Sequence, residues 1–368
     1  MPNAADAADG GDANRLGFPP VPMGTRPIQT SINFSGICAQ RLAFGLEFGL
    51  LFSLIVPCYN EEDNVLPFLL AARDALDGQA YDWELIYIND GSQDGTRDRL
   101  RTLAAEHPKT VRAVTFSRNF GKEAALLAGL HHAKGDVLCF IDADLQQPPA
   151  FAAEMLQTLL RDPDLDCVCA VQEVRREGKL LSAVKGAFYK LGNKLTDVDF
   201  VNGASDFRVF RRPVADALLA LTEGQRFSKG LFAWVGFDTL YVPYRAAERL
   251  AGKSKWSPVG LLRYGLGGII SFTTRPLRAA VVVGIVSALL SLVYLVAVWI
   301  QKLFFSIDVP GYATIVTLVL LLGGLQLFFF GVLGEYLARV FTETKRRPPY
   351  IIKEALNTND IHESEEIQ

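Results

Sequence analysis

Residues 279 to 300, AAVVVGIVSALLSLVYLVAVWI, run for 22 positions without a charge. At 1.5 Å per residue such a run makes about 33 Å of helix, enough to cross the hydrocarbon layer of a bilayer. A second uncharged run, YATIVTLVLLLGGLQLFFFGVLG at 312 to 334, follows after a connector at 301 to 311. The pair reads as a transmembrane hairpin. Arg263, Arg275 and Arg278 precede it and Arg339, Lys345, Arg346 and Arg347 follow it, whereas the connector carries only Lys302 and Asp308. Excess Lys and Arg marks the cytosolic side, so both termini, including a cytosolic tail at 335 to 368, are expected there. Two buried helices of a soluble domain are the competing reading, but they need apolar neighbours all round, and the residues after the second run are mostly polar.

Composition narrows what the remainder does. A net charge of −3 and the lack of a sustained basic tract argue against a nucleic-acid surface, which needs clustered cations to displace counterions. The five cysteines, Cys38, Cys58, Cys139, Cys167 and Cys169, form no disulfide framework and sit mostly in apolar runs, as small hydrophobes in a reducing compartment do. Residues 1 to 50 open with Ala, Gly, Asp and Pro, without the cationic start and apolar core of a signal peptide. They are expected to be disordered or weakly ordered. Between the soluble part and the first run, 257 to 278 is apolar but broken by glycines and arginines, as an interfacial segment would be. A shorter amphipathic stretch, KLLSAVKGAFYKLGNKL at 179 to 195, is either another such segment or an ordinary solvated helix.

From Phe52 onward, apolar strands alternate with amphipathic helices: LFSLIVP, EDNVLPFLLAARDAL, WELIYIND, TRDRLRTLAAEH, VRAVTFS, GKEAALLAGLHHA and DVLCFIDAD. Continuous β-branched runs separated by helical patterns imply a doubly wound α/β domain with a mostly parallel sheet, here over 51 to 256. Ligands in such sheets bind beyond the carboxyl ends of the strands. Those ends read PCYNEE, NDGSQDGT, SRNFGKE and DADLQQPP, all polar, which points to one binding edge. Neither G-x-G-x-x-G nor a P-loop motif is present, so a nicotinamide enzyme or an ATPase is not expected. Asp142 and Asp144 leave the fourth strand on one face because side chains alternate with period two. Two ionised carboxylates held close call for a cation, and hard oxygen ligands with an open coordination sphere suit Mg²⁺ or Mn²⁺. On its own the D-A-D triplet fits a solvated strand end with a helix cap equally well.

Taken together, IVPCYNEEDNV, YINDGSQDGT, FSRNFGKEAALLAGL, IDADLQQPP, SDFRVF and RLAGKSKW resemble, in order and spacing, the family 2 glycosyltransferases with the GT-A fold. With the hairpin, the chain past residue 52 is similar to the polyprenyl-phosphate glycosyltransferases, which include dolichol-phosphate mannose synthase and bacterial undecaprenyl-phosphate glucosyltransferases. The resemblance implies inverting transfer of a hexose from a UDP- or GDP-linked sugar to a polyprenyl phosphate on the cytosolic face of a bacterial plasma membrane. A homo-oligomer through the hairpin would be compatible with it.

The same resemblance assigns Pro57, Tyr59, Glu61 and Asp90 to the nucleotide pocket, and Asp142, Asp144 and Gln146 to the donor side and the metal. Asp90 before Gly91 also suits a tight turn. Asp206 matches a position proposed as base, yet an acceptor phosphate with a second pKa of about 6 is already ionised at neutral pH. Asp206 therefore orients the acceptor or sugar, or pairs with Arg208. Arg118, Lys122, Arg208, Arg226, Arg249, Ser254 and Lys255 match positions that would bind acceptor or diphosphate, a role for which Arg is well built. Two letters depart from the pattern: Gln147 stands where aspartate is usual, and Lys229 where arginine is frequent. A processive polysaccharide synthase would want a Q-x-x-R-W motif and more spans, and an inactive membrane scaffold would not need the intact D-A-D-L-Q run.

Overall fold

The computed structural model describes residues 49–172, 201, 203–224, 226–245, 273–305 and 311–358. Four apolar strands build the centre: β1 (Leu51–Cys58), β2 (Asp82–Asn89), β3 (Val111–Phe116) and β4 (Val137–Phe140). They alternate with α1 (Val65–Leu76), α2 (Thr96–Glu106) and α3 (Lys122–His132), and α4 (Pro149–Arg161) follows β4. Beyond them lie β5 (Cys167–Gln172), β6 (Ala204–Arg211), α5 (Arg212–Leu219), α6 (Ser228–Val235) and β7 (Thr239–Tyr244). Two long helices, α7 (Arg275–Phe305) and α8 (Tyr312–Thr344), and a last strand, β8 (Ile352–Leu356), complete the described chain.

The eight strands form one sheet in the order β7-β5-β6-β4-β1-β2-β3-β8. β1 pairs in parallel with both β2 and β4, and β2 with β3, whereas β6 runs antiparallel to β4 and β5. Because β2 and β4 flank β1 on opposite sides, the winding reverses there, which opens a crevice at the carboxyl ends of β1 and β4. The D-A-D run leaves β4 at that point.

Strand alternation divides the core between two faces. Phe52, Leu54 and Val56 pack with Phe68, Leu100 and Leu156 on one, and Ile55, Ile86 and Ile88 with Ala125, Leu218 and Phe232 on the other. Phe52, Phe68, Phe140, Phe207 and Phe210 are each no more than 2 % exposed, and burying a side chain of that size contributes about 1.5–3 kcal/mol. Gly129 brings α3 flush against β1, since a Cβ there would overlap the Ile55 side chain. Cys58, Cys139, Cys167 and Cys169 are buried strand thiols, as their apolar surroundings predict; Cys38 lies outside the described residues.

α7 extends beyond its uncharged window on both sides and α8 beyond its C-terminal end, and residues 275–278 of the expected interfacial segment form the first turn of α7. Each helix is apolar all round and leaves that surface open, with Leu290 65 % and Leu327 71 % exposed. Only lipid or more protein satisfies such a surface.

The described part of the expected tail at 335 to 368 continues α8 to Thr344 and then returns to the sheet as β8, antiparallel to β3. An open β3 edge presents unpaired backbone groups, and residues 351 to 356 cover them. Glu354 receives Arg97 Nε at 2.8 Å and Arg101 Nε at 2.9 Å from α2. Tyr350 stacks on Phe116 at 5.0 Å and meets His131 Nδ1 through its hydroxyl at 3.0 Å.

Candidate active site

Two loops converge at the crevice. The first joins β3 to α3 and is tied down from the end of β2, where Asp90 accepts hydrogen bonds from the backbone N–H groups of Phe120 (2.6 Å) and Gly121 (2.9 Å). Burial raises the Asp90 pKa, and those two amides pull it partly back. The loop sits so close that a Cβ on Gly91, at φ 65°, would collide with the backbone of Arg118 and Asn119. The Asp-Gly pair thus makes the turn that its sequence suits and clamps the loop, with Lys122 at the start of α3 reaching across the crevice.

The second loop is DADLQQ itself. Leu145 adopts φ 58°, a left-handed conformation costly for a branched side chain, and this folds the loop back on itself. Gln147 is thereby buried: its Oε1 accepts the Asp142 N–H at 2.9 Å and its Nε2 donates to Asp142 Oδ2 at 3.2 Å. Asp144 Oδ1 accepts the Gln146 N–H at 3.2 Å.

Lys122 bridges the carboxylates across the gap, with Nζ 2.6 Å from Asp142 Oδ1 and 3.2 Å from Asp206 Oδ2. Burial alone would lower the lysine pKa, but the two carboxylates outweigh it and hold the ammonium charged, well above the usual range. For Asp206, burial pushes the pKa up, while the charges of Lys122, Lys229 and Arg208 press it below the ordinary carboxylate value. Asp206 Oδ1 is buried and lacks a hydrogen-bond partner among the described residues. A cleft of about 210 Å³ opens over this pair, lined by Asp142, Asp144, Gln146 and Asp206 together with Gln172, Lys229 and Tyr244. Burial, then the nearby Asp142 and Asp144 charges, raises the Tyr244 pKa, so its hydroxyl stays protonated near Gln147.

Asp142, Asp144, Gln146 and Asp206, all expected from the sequence, thus line one cleft, and Lys122, also expected, bridges Asp142 and Asp206. Pro57, Tyr59 and Glu61 lie at and beyond the end of β1, with Glu61 accepting from Asn64 Nδ2 at 2.6 Å. Arg118 is exposed, with its guanidinium 4.1 Å over the Phe120 ring. Arg208 and Arg226 turn into the domain: Arg208 is 4 % exposed, stacked 4.4 Å from the Phe232 ring centre, and Arg226 donates to the carbonyls of Leu218 and Leu221 after α5. Arg249, Ser254 and Lys255 lie outside the described residues.

Asp142, Asp144 and Gln146 offer the oxygen ligands that a hard divalent cation takes, although no three His, Cys, Asp or Glu side chains stand close enough to hold one among the described residues. A sheet whose carboxyl edge carries such a cleft beside a bridging lysine is suited to handling phosphorylated ligands. Residues 53–219 match the glycosyl transferase family 2 profile, and residues 275–340 match the GtrB C-terminal hairpin. CsbB of Bacillus subtilis is 42 % identical over 319 residues, covering 86 % of this chain and 96 % of CsbB. The SfII prophage-derived bactoprenol glucosyl transferase of Shigella flexneri is 39 % identical over 308 residues, covering 83 % and 99 % of the two chains. The prophage bactoprenol glucosyl transferase homolog of Escherichia coli K12 is 38 % identical over 302 residues, covering 82 % and 98 %. The chain belongs to the family 2 glycosyltransferases, in the branch that ends in a GtrB-type hairpin.

Proposed function

We propose that the protein transfers a hexose, glucose in the first instance, from a nucleotide sugar to a polyprenyl phosphate at the cytosolic membrane face. The Lys122–Asp142–Asp206 cleft, in a chain so similar to bactoprenol glucosyl transferases, is the observation that carries this reading. The hairpin supports it: β7 before α7 and β8 after α8 belong to one sheet, an arrangement that suits a hairpin with both ends on the cytosolic side.

An oxygen of the acceptor phosphate attacks the anomeric carbon from the face opposite the nucleotide, and the bond from that carbon to the diphosphate oxygen breaks, inverting configuration. Mg²⁺ or Mn²⁺ held by Asp142, Asp144 and Gln146 would neutralise charge on the departing UDP or GDP. Tyr59 and Glu61, beside Pro57 at the end of β1, face the base and ribose, and Asp90 holds the Lys122 loop in place. Lys122 and Lys229 draw the two phosphates together, with Arg118 at the rim. Electrostatic stabilisation of this kind commonly exceeds what a base contributes. Asp206, pressed below its ordinary pKa, is a weak proton acceptor, and the acceptor phosphate has no proton to give up. Its part is to orient the acceptor and the sugar.

The test is incubation of the purified full-length protein with undecaprenyl phosphate, Mg²⁺ or Mn²⁺, and a panel of UDP-glucose, UDP-N-acetylglucosamine and GDP-mannose. A single glycosyl phospholipid of inverted anomeric configuration is expected by mass spectrometry and NMR. No product from any donor would refute the assignment.

A further inference from the structure

Both carboxylate oxygens of Asp142 have a partner in this structure. Gln147, buried and anchored by the Asp142 N–H, donates to one carboxylate oxygen at 3.2 Å, and Lys122 holds the other at 2.6 Å. These two partners differ in how readily they can be exchanged. Gln147 is 7 % exposed and bonded twice to one residue, whereas the Lys122 side chain is 34 % exposed on a flexible four-carbon stem. It springs from the first position of α3, next to Gly121, where a Cβ would meet nothing within 4 Å.

We propose that Lys122 is the resting counter-ion of the cleft, occupying Asp142 until donor and divalent cation arrive and then moving its ammonium onto the diphosphate. This deepens the transferase reading and rests on it. A cation reaching Asp142 through its one exchangeable oxygen meets the ammonium first, so the resting site binds divalent ions weakly. The donor brings the phosphate charges that draw Lys122 away, and Asp206, whose other oxygen has no hydrogen-bond partner among the described residues, gives up its Lys122 contact in the same movement. Loading of metal and donor is thereby coupled through one side chain.

Binding of Mn²⁺ alone to the purified full-length protein, followed by the EPR signal of free Mn²⁺, tests this independently of transfer. Lys122→Met should tighten Mn²⁺ binding by about tenfold, a change of about 1.4 kcal/mol. Lys122→Arg, which keeps the charge, should stay within about threefold of wild type by the same scale. Adding UDP should tighten Mn²⁺ binding in the wild type more than in Lys122→Met. Lys122→Gln serves in place of Lys122→Met should circular dichroism show that the latter is unfolded. Unchanged or weaker Mn²⁺ binding on removing the charge, or equal tightening in Lys122→Arg, would overturn the proposal. Tightening in a protein that transfers no sugar would uphold it while refuting the transferase reading.

Discussion

Gln147 shows how a residue acquires a role that its letter does not reveal. The D-A-D-L-Q run was legible as paired carboxylates at a strand end, but β4 stops at Phe140, so the loop and not strand alternation sets where Asp142 and Asp144 face, and the hold of Gln147 on Asp142 depends on Leu145 turning left-handed. Lys229, flagged in the sequence as a departure from the family pattern, and Tyr244, which nothing in its local sequence announces, reach the same cleft from α6 and β7. For Arg208 and Arg226 the charge is visible in the sequence, whereas their orientation toward Phe232 and the α5 carbonyls is not. Gln147→Ala should cost about 1–3 kcal/mol through the lost Asp142 contacts, read by thermal unfolding, and should lower kcat more than it raises the donor KM. Asp206→Asn should keep a measurable fraction of transfer, with a pH profile unchanged above about pH 6, where the acceptor phosphate is already ionised. A true base would instead give a pH-dependent loss of several orders of magnitude.

At the scale of elements, the parallel strands were readable from their apolar runs, and β8 was not. Its five residues are half exposed and follow a charged stretch, so they carry no periodic signal stronger than a tail's. In the folded chain this strand braces the loop that carries Arg118 and Lys122, because Tyr350 stacks on Phe116 and the Ser117 N–H bonds to the Ile351 carbonyl at 2.9 Å. From the end of α8, Glu343 accepts the Gly224 N–H at 3.0 Å, just before Arg226 and α6. The segment after the hairpin thus touches the β3–α3 loop, and the end of α8 touches the connection between α5 and α6. Tyr350→Ala should lower the unfolding midpoint and raise hydrogen exchange in residues 117 to 121, while Leu66→Ala, on the exposed side of α1, should do neither. Burial lowers the pKa of His131 and His132, so folding favours their neutral forms. Their contribution to stability is therefore full above the ordinary histidine value of about 6.5 and is lost as pH falls through their lower folded values. Urea midpoints between about pH 7.5 and 5 should fall in the wild type and fall less in His131→Gln.

For the molecule as a whole, the order of parts is a soluble sheet, a lipid-facing hairpin, and a strand that closes back onto the sheet. The hairpin was legible in the two uncharged runs, whereas the return of the chain to the sheet as β8 was not. An active site attached at both ends of a membrane hairpin is held close to an acceptor that is itself confined to the bilayer. The most direct measurement compares membranes from cells producing wild type and Asp144→Ala, each given undecaprenyl phosphate, radiolabelled UDP-glucose and Mg²⁺. Wild-type membranes should yield an acid-labile labelled lipid extractable into organic solvent, and Asp144→Ala membranes, holding equal amounts of folded protein, should yield less than about a hundredth of it, a loss of about 2.7 kcal/mol. Equal labelled lipid from both, or label found only in polymer, would contradict the account.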